Sequence, residues 1–142
     1  MAYRDRIEVS FDAGHRLLDY QGKCASPHGH TFRAEVIVEG SELNELGLLV
    51  DFGDIKRAMK EWIDRNWDHG FLVNSRDTAM LKALRSIPEA KVYGFEGINP
   101  SAEAMARQLA CLASERFPGL RPTVRVWESN TQYAEYIPET PQ

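Results

Sequence analysis

Residues 28–40 read HGHTFRAEVIVEG, and apolar and polar side chains alternate along most of this stretch. An alternation with a period of two is typical of a strand with one buried face. The same alternation runs through residues 7–13, IEVSFDA, and His15 continues the buried parity. We therefore predict two strands joined by a loop from about Leu17 to Pro27. The apolar positions of the second strand are Phe32, Ala34, Val36 and Val38.

Two later stretches have helical spacing. Asp51 can cap a helix that ends before Gly70, with apolar positions at Ile55, Met59, Trp62 and Ile63. Asn99 at the cap and Pro100 at the first helical position predict the start of a second helix, which ends at Pro118-Gly119. Its buried stripe is predicted to be Met105, Leu109, Leu112 and Ala113.

Shorter patterns complete the order of elements. They predict a short helix over residues 77–86, a short strand over 91–95, and two strands over 123–128 and 131–137. Strands at both ends with two main helices between them indicate an α+β fold, in which an antiparallel sheet is covered on one face by those helices. No repeat or Pro/Gly/Ser-rich linker divides the chain, so residues 1–142 are predicted to form a single domain.

The composition argues against several classes of protein. The chain has 142 residues, a net charge of −4 and 43% hydrophobic residues, which is sufficient for a packed core. It has no apolar run of the roughly 18 residues that a membrane helix needs. The opening MAYRDRIEVSF is charged where a secretory signal would be apolar. We expect a soluble, cytoplasmic protein whose acidic balance argues against nucleic acid as a partner.

Three of the four histidines are placed to meet at one metal ion. His28 and His30 lie two apart on an extended chain, so their side chains share a face about 6–7 Å apart, and His15 can join them from the neighbouring strand. Three neutral imidazoles with an open fourth position are typical of catalytic zinc. Zinc is therefore the expected cofactor, although iron or another transition metal fits the same ligands. The alternative is surface or capped histidines without a metal.

The two cysteines are too few for a disulfide framework. Cys24 lies just before His28-Gly29-His30. As a fourth ligand it would close the site and make the metal structural, whereas as a free thiolate it would be a base or a nucleophile; the sequence leaves both roles open. Cys111 lies beside the apolar stripe of the second helix, where we expect a packed, inert thiol.

Two acidic positions also have the chemistry of a site. Asp68 directly precedes His69, so it can fix the imidazole tautomer and let His69 exchange protons with a thiol; the alternative is a histidine at the negative end of a helix. Glu128 shares the buried parity of Val124 and Val126. A carboxylate on that face needs a buried arginine or a ligand with two adjacent N–H donors, such as a pterin or a guanine.

Other polar residues near these motifs have simpler explanations. Ser101 and Glu103, in the first turn of the second helix, are explained by capping and by the helix dipole. Positive charge for a small anionic ligand is available near the histidines, although ordinary surface cations are the alternative. These cations are Arg16, Lys23 and Arg33.

Together these motifs resemble the 6-pyruvoyl-tetrahydropterin synthase / 6-carboxytetrahydropterin synthase family. They occur in that family's order and cover nearly the whole chain. The motifs are His15, Cys24-x-x-x-His28-Gly29-His30, Val50-Asp51-Phe52, Asp68-His69, Asn99-Pro100-Ser101-Ala102-Glu103 and Trp127-Glu128.

The resemblance implies the tunnelling fold, a four-stranded antiparallel sheet with two helices on one face. In that family trimers close into a barrel, two trimers stack into a hexamer, and active sites lie between subunits. The resemblance also implies site residues. The zinc ligands are His15, His28 and His30; the catalytic residues are Cys24 as base, Asp68 with His69 as its relay, and Glu128 as the anchor of the pterin ring; Ser101 stands where many members have a threonine near the pterin.

The gap of three residues between Cys24 and His28 resembles the bacterial 6-carboxytetrahydropterin synthases of 7-deazaguanine (queuosine) biosynthesis. These enzymes convert 7,8-dihydroneopterin triphosphate to 6-carboxy-5,6,7,8-tetrahydropterin, acetaldehyde and triphosphate. The alternatives are a 6-pyruvoyl or 6-hydroxymethyl product of the same substrate, or a non-catalytic pterin- or purine-binding module with a structural metal. The segment from Asp68 to Asn74 is slightly longer than in many members, which leaves the substrate open.

Overall fold

The structure is a computed structural model that describes residues 1–139; residues 140–142, which the single-domain prediction includes, lie outside the described part. Within that range the chain forms six strands and three helices. The strands are β1 (Tyr3–His15), β2 (His28–Gly40), β3 (Gly70–Asn74), β4 (Val92–Phe95), β5 (Arg121–Trp127) and β6 (Tyr133–Tyr136). The helices are α1 (Phe52–Asn66), α2 (Thr78–Arg85) and α3 (Ala102–Arg116).

The six strands form one mixed sheet in the order β4-β3-β1-β2-β5-β6. Strands β1, β2, β5 and β6 pair antiparallel, as predicted, but β3 and β4 extend the sheet beyond β1 in parallel pairs. The predicted four-stranded antiparallel sheet is therefore wrong in strand number and in direction. The sequence GFLVN of β3 has no alternation that would predict a strand. Its pairing with β1 is short and involves only Ala13–His15 of that strand.

The core lies on one face of the sheet, beneath α1 and α3. The inward side chains of β2, such as Phe32 and Val36, are fully buried and belong to the same cluster as the apolar stripes of both helices. Removing this apolar surface from water, at about 25 cal/mol per Å², drives the layers together. None of the helices in residues 1–139 is long and apolar enough to cross a membrane.

The two main helices begin differently. Asp51 caps α1 as predicted, and its side chain accepts a hydrogen bond from the Gly53 N–H. The predicted start of α3 is wrong, because Ser101 is the N-cap and Ala102 is the first helical residue. Asn99 does not cap the helix, since its amide is bonded to the backbone of Leu18.

The buried stripe of α3 is the predicted one, but Cys111 does not join it. Met105, Leu109, Leu112 and Ala113 are buried. Cys111 is exposed, so the expectation of a packed thiol is wrong. One residue before Leu112, it is turned by the helical repeat away from the core.

Candidate metal centre and thiol loop

The pairing of β1 with β2 brings three imidazoles together. His15 lies directly opposite His28, and His30 lies opposite Ala13. The ring centroids of His15 and His28 are 4.7 Å apart, and those of His28 and His30 are 5.0 Å apart. One ring nitrogen from each histidine lies within 4.8 Å of the others. This group could hold a metal ion.

Main-chain carbonyls orient two of the imidazoles. Nδ1 of His15 lies 2.7 Å from the Pro100 carbonyl oxygen, and Nδ1 of His28 lies 2.7 Å from that of Ser26. A carbonyl only accepts, so each Nδ1 is the protonated nitrogen and each Nε2 keeps its lone pair for a metal. The Nε2 atoms of His28 and His30 are buried and have no hydrogen-bond partner within residues 1–139. This donor set fits a transition metal.

Burial favours the neutral state of two of the imidazoles, those of His15 and His30. It lowers the pKa of His15, and this effect outweighs the hydrogen bond with Pro100, which acts in the opposite direction. Burial also lowers the pKa of His30 against the attraction of Glu128. Neutral imidazole is the form that coordinates metals, so protons compete less with a metal ion here than at exposed histidines.

Glu128 directly follows β5, and its carboxylate lies beside the imidazoles of His15 and His30. Its Oε1 lies 3.9 Å from Nε2 of His15, and its Oε2 lies 4.0 Å from Nε2 of His30. The carboxylate also lines a cavity of about 170 Å³, together with Ala102, Glu103, Gln132, Tyr133 and Ala134. Glu128 is therefore in contact with both the imidazoles and a ligand-accessible space.

Cys24 lies in a 3₁₀ turn, Lys23–Ala25, within the loop between β1 and β2. It is half-buried, and its sulfur is not part of the convergent group of ligand atoms. Its carbonyl accepts a hydrogen bond of 2.9 Å from the Leu17 N–H, which closes the loop. We refer to residues 16–27 as the thiol loop.

Asp68 and His69 form a pair in the turn between α1 and β3. Oδ2 of Asp68 lies 2.9 Å from Nδ1 of His69, and its Oδ1 accepts from the Asp12 N–H at 3.0 Å. Burial alone would raise the pKa of Asp68, but these hydrogen bonds outweigh it and hold the pKa below its ordinary value. The carboxylate is thus charged and fixes the His69 ring.

Hydrogen bonds to β1 and from Lys91 fix the backbone of the turn that carries Asp68 and His69. His69 has a φ of 60°, which is uncommon for a residue with a side chain. Its N–H donates to the Asp12 carbonyl at 2.7 Å. Nζ of Lys91 donates to the carbonyls of Asp64 and Asp68 at 2.8 and 2.6 Å. These bonds fix the backbone of the turn and therefore the direction in which the His69 side chain projects.

The relay pair and the thiol are not bonded to each other within one chain. The His69 side chain is 77% exposed. No hydrogen bond in residues 1–139 connects Asp68 or His69 with Cys24. A proton exchange between these groups therefore needs either movement or a second chain.

Two of the candidate cations are already paired. Arg16 binds Asp77 through two hydrogen bonds of 2.5 Å, and Arg33 binds Glu8 at 2.7 Å while lying over the ring of Trp127. Lys23 is exposed. The Ser101 hydroxyl accepts from the Ala104 N–H at 3.1 Å, so it caps α3.

Some contributors to this region have no signal in the sequence. The Pro100 carbonyl is a main-chain group, which any residue could supply. Gln132 and Tyr133 reach the cavity only because β6 turns back beside β5. Glu103 has a signal, since it lies in the motif at the start of α3, but capping alone already explained it.

We expect His28→Ala to abolish metal binding, because it removes one of three converging donors. Inductively coupled plasma mass spectrometry should detect one metal ion per chain in the wild type and almost none in the variant. His69→Ala is the matched control, and it should keep the metal. Equal metal content in His28→Ala and the wild type would contradict the assignment.

We expect the ion pair of Arg16 with Asp77 to make stability depend on pH. The Arg16 hydrogen bonds hold the pKa of Asp77 below its ordinary value of 3.8 against the effect of burial. A lowered folded-state pKa contributes stability above the unfolded-state pKa, and this stability is lost as the pH falls through the folded-state pKa. Asp77→Asn should therefore lower the free energy of unfolding at pH 6 by about 2 kcal/mol.

Urea unfolding at several pH values measures this effect. The difference between wild type and Asp77→Asn should shrink below about pH 4, since protonated aspartic acid resembles asparagine. Asp54→Asn removes an exposed ion pair with Arg57 and serves as the control, with little effect at either pH. A difference that is constant from pH 6 to pH 3 would show that Asp77 contributes no charge interaction.

Comparison with known proteins identifies relatives of this chain. A model of the 6-pyruvoyl tetrahydropterin synthase family matches residues 6–139. A protein from Rickettsia conorii named 6-carboxy-5,6,7,8-tetrahydropterin synthase is 37% identical over 112 residues, which cover 79% of this chain and 78% of the relative.

Solved structures share the fold at low sequence identity. An uncharacterised protein from Wolinella succinogenes has a TM-score of 0.83 at 21% identity, covering 98% of this chain and 99% of its own. A 6-pyruvoyltetrahydropterin synthase from Plasmodium vivax has a TM-score of 0.75 at 15% identity, covering 96% of this chain and 97% of its own. With the family model matching almost all of the described residues, this chain belongs to the 6-pyruvoyl tetrahydropterin synthase family.

Proposed function

We propose that this chain is a cytoplasmic, zinc-dependent lyase that converts 7,8-dihydroneopterin triphosphate and one water to 6-carboxy-5,6,7,8-tetrahydropterin, acetaldehyde and triphosphate in 7-deazaguanine (queuosine) biosynthesis. The observation that carries the proposal is the convergence of three imidazoles beside Glu128 and a cavity. The name of the Rickettsia conorii relative supports the carboxy product. So does the gap of three residues between Cys24 and His28.

In this proposal His15, His28 and His30 hold the zinc ion. Their Nε2 atoms are the donors, since carbonyls occupy Nδ1 of His15 and of His28. A bound zinc ion supplies Lewis acidity, which makes nearby hydroxyl protons easier to lose. The binding of the ring and the movement of protons fall to other side chains of the chain.

Glu128 anchors the pterin ring. An ionised carboxylate only accepts hydrogen bonds, and its two oxygens match two adjacent N–H donors on the edge of a pterin. The cavity that Glu128 lines offers space for the ring. Ser101 accepts from the Ala104 N–H and so keeps its own hydroxyl proton, with which it donates to the substrate.

Cys24 is the base that moves protons on the substrate side chain. Its sulfur stays off the convergent ligand group, which suits a free thiolate better than a fourth ligand. Asp68 fixes His69 through Nδ1, so Nε2 of His69 is the nitrogen that faces outward and exchanges protons with the thiol. The pair restores the charge state of Cys24 after each proton transfer.

We further propose that the site is completed by a second subunit in a homohexamer of two trimers. His69 is exposed, and in its own chain it is not bonded to Cys24. Free sheet edges offer a means of assembly: β6 is an outer strand, and only residues 13–15 of β1 pair with β3. Unpaired backbone groups along such edges can pair with a strand of another chain.

Incubation of the zinc-loaded protein with 7,8-dihydroneopterin triphosphate should release acetaldehyde, and mass spectrometry should identify the carboxy product. Cys24→Ala should lower kcat by at least about 100-fold because the base is lost, while zinc stays bound. Cys111→Ala, which removes the exposed thiol, is the matched control and should keep kcat.

Three outcomes would contradict parts of this proposal. Loss of zinc from Cys24→Ala would make Cys24 a ligand. A 6-pyruvoyl or 6-hydroxymethyl product would contradict the proposed reaction but leave the assignment of the site residues intact. Tight pterin binding without turnover, unaffected by Cys24→Ala, would identify a binding module.

A complementation experiment tests whether subunits share the site. Cys24→Ala and His69→Ala should each be nearly inactive alone. If the two groups come from different chains, a mixture dissociated and reassembled in equal amounts should regain roughly a quarter of wild-type kcat, because random assembly pairs an intact Cys24 with an intact His69 at that frequency. A mixture that stays inactive would mean that each chain supplies both groups.

A further inference from the structure

The position of Cys24 depends on the start of the thiol loop. The Leu17 N–H donates to the Cys24 carbonyl, and the Ala25 and Ser26 N–H groups donate to the carbonyls of Gly22 and Lys23. The loop is thus closed on itself. Whatever fixes residues 17 and 18 therefore also fixes the turn that carries the thiol.

The side chain of Asn99 fixes this segment by binding both backbone polar groups of Leu18. Its Oδ1 accepts from the Leu18 N–H at 2.9 Å, and its Nδ2 donates to the Leu18 carbonyl at 3.0 Å. A side-chain amide that pairs with both backbone groups acts as a neighbouring strand would. This pairing restrains translation and rotation of the loop, which a single hydrogen bond would not.

A second amide holds Asn99 in one orientation. Oδ1 of Asn74 accepts from the Arg76 N–H at 3.0 Å, so its Nδ2 is the group that donates to Oδ1 of Asn99 at 3.1 Å. Asn74 is 3% exposed. A flipped Asn99 amide would place its own NH₂ group against the Leu18 N–H and the Asn74 NH₂ group, which are both donors. Only the observed orientation therefore satisfies all three residues.

The residue after Asn99 braces the metal centre. The Pro100 carbonyl is the partner of Nδ1 of His15. Adjacent residues therefore hold a candidate metal ligand and the thiol loop. The segment that leads into α3 therefore sets the position of the thiol loop relative to His15.

We propose that Asn99 is a positioning residue for Cys24, which it holds at a fixed place relative to the metal centre through the backbone of Leu18. Capping of α3 does not explain Asn99, because Ser101 performs that role. The inference rests on the proposed function only in taking Cys24 as the base. A second anchor lies at the same end of the loop, where Arg16 binds Asp77, and the Arg16 side chain also reaches the Ala25 carbonyl toward the other end.

Hydrogen exchange measured by mass spectrometry on the zinc-loaded Asn99→Ala protein tests this role. Exchange of the amides in residues 20–27 should become at least about tenfold faster, although none of them bonds Asn99. Zinc content and the exchange of β2 should stay as in the wild type. With the pterin substrate, kcat should fall at least about tenfold with little change in KM, because the base is misplaced while binding is retained.

Asn44→Ala is a matched control. Asn44 also accepts hydrogen bonds from two backbone N–H groups of a loop, those of Leu46 and Leu48, but none of its hydrogen bonds within residues 1–139 reaches the thiol loop. It should leave exchange of residues 20–27 and kcat unchanged. Asn99→Asp keeps the size and the acceptor but loses the donor to Leu18, so it should show the same changes at smaller magnitude even if Asn99→Ala folds poorly.

Wild-type exchange in residues 20–27 of either Asn99 variant would overturn the proposal. Loss of zinc, or faster exchange throughout the sheet, would also overturn it, since Asn99 would then support the fold in general. A wild-type protein without lyase activity would refute the proposed function alone. The exchange of residues 20–27 would still decide whether Asn99 holds the loop.

Discussion

His15 lies directly across from His28 in the antiparallel pair of β1 and β2, and the candidate metal centre depends on that register. A shift by one residue would turn the side chains of one strand to the opposite face and separate the imidazoles. Inner-face pairs hold the register: Phe11 stacks on Phe32 with ring centroids 5.3 Å apart, and Val9 lies opposite Ala34. Hydrophobic burial on this face therefore determines whether three histidines meet.

The two parts of the candidate site are built differently. The imidazoles and Glu128 lie within one chain, close to its hydrophobic core, and main-chain carbonyls orient two of the rings. Asp68 and His69 lie on a surface turn with an uncommon backbone conformation, held by Lys91. The first part is preorganised for a metal in a single chain. The second presents its imidazole to solvent, apart from the three converging rings.

Sequence patterns predicted the elements that have a regular period. The alternation in β1 and β2 continues into His15 and His30, so their common face could be predicted from parity alone. The main helices were identified from apolar spacing. The five residues of β3 were missed because the strand is short and its central Phe-Leu-Val run has no period of its own. In the structure it pairs with the end of β1 on one side and with β4 on the other.

Side-chain amides and carbonyls were harder to predict, since their partners are distant in sequence. Asn99 before a helix has the composition of a cap, yet its amide is taken by Leu18 and the cap moves to Ser101. The carbonyl of Pro100 has no sequence signal at all. Cys111 was misassigned because one step along a helix turns a side chain by about 100°, enough to move it from core to solvent.

The sheet order also bears on how the chain folds. β2 sits between β1, which precedes it closely, and β5, which lies near the other end of the chain; Val36 pairs with Val124. Closing so long a loop costs entropy before any contact compensates for it, and such topologies fold slowly. During synthesis on the ribosome, one edge of β2 and part of its apolar face must wait for β5. A nascent chain halted before β5 is therefore exposed to aggregation and to capture by chaperones.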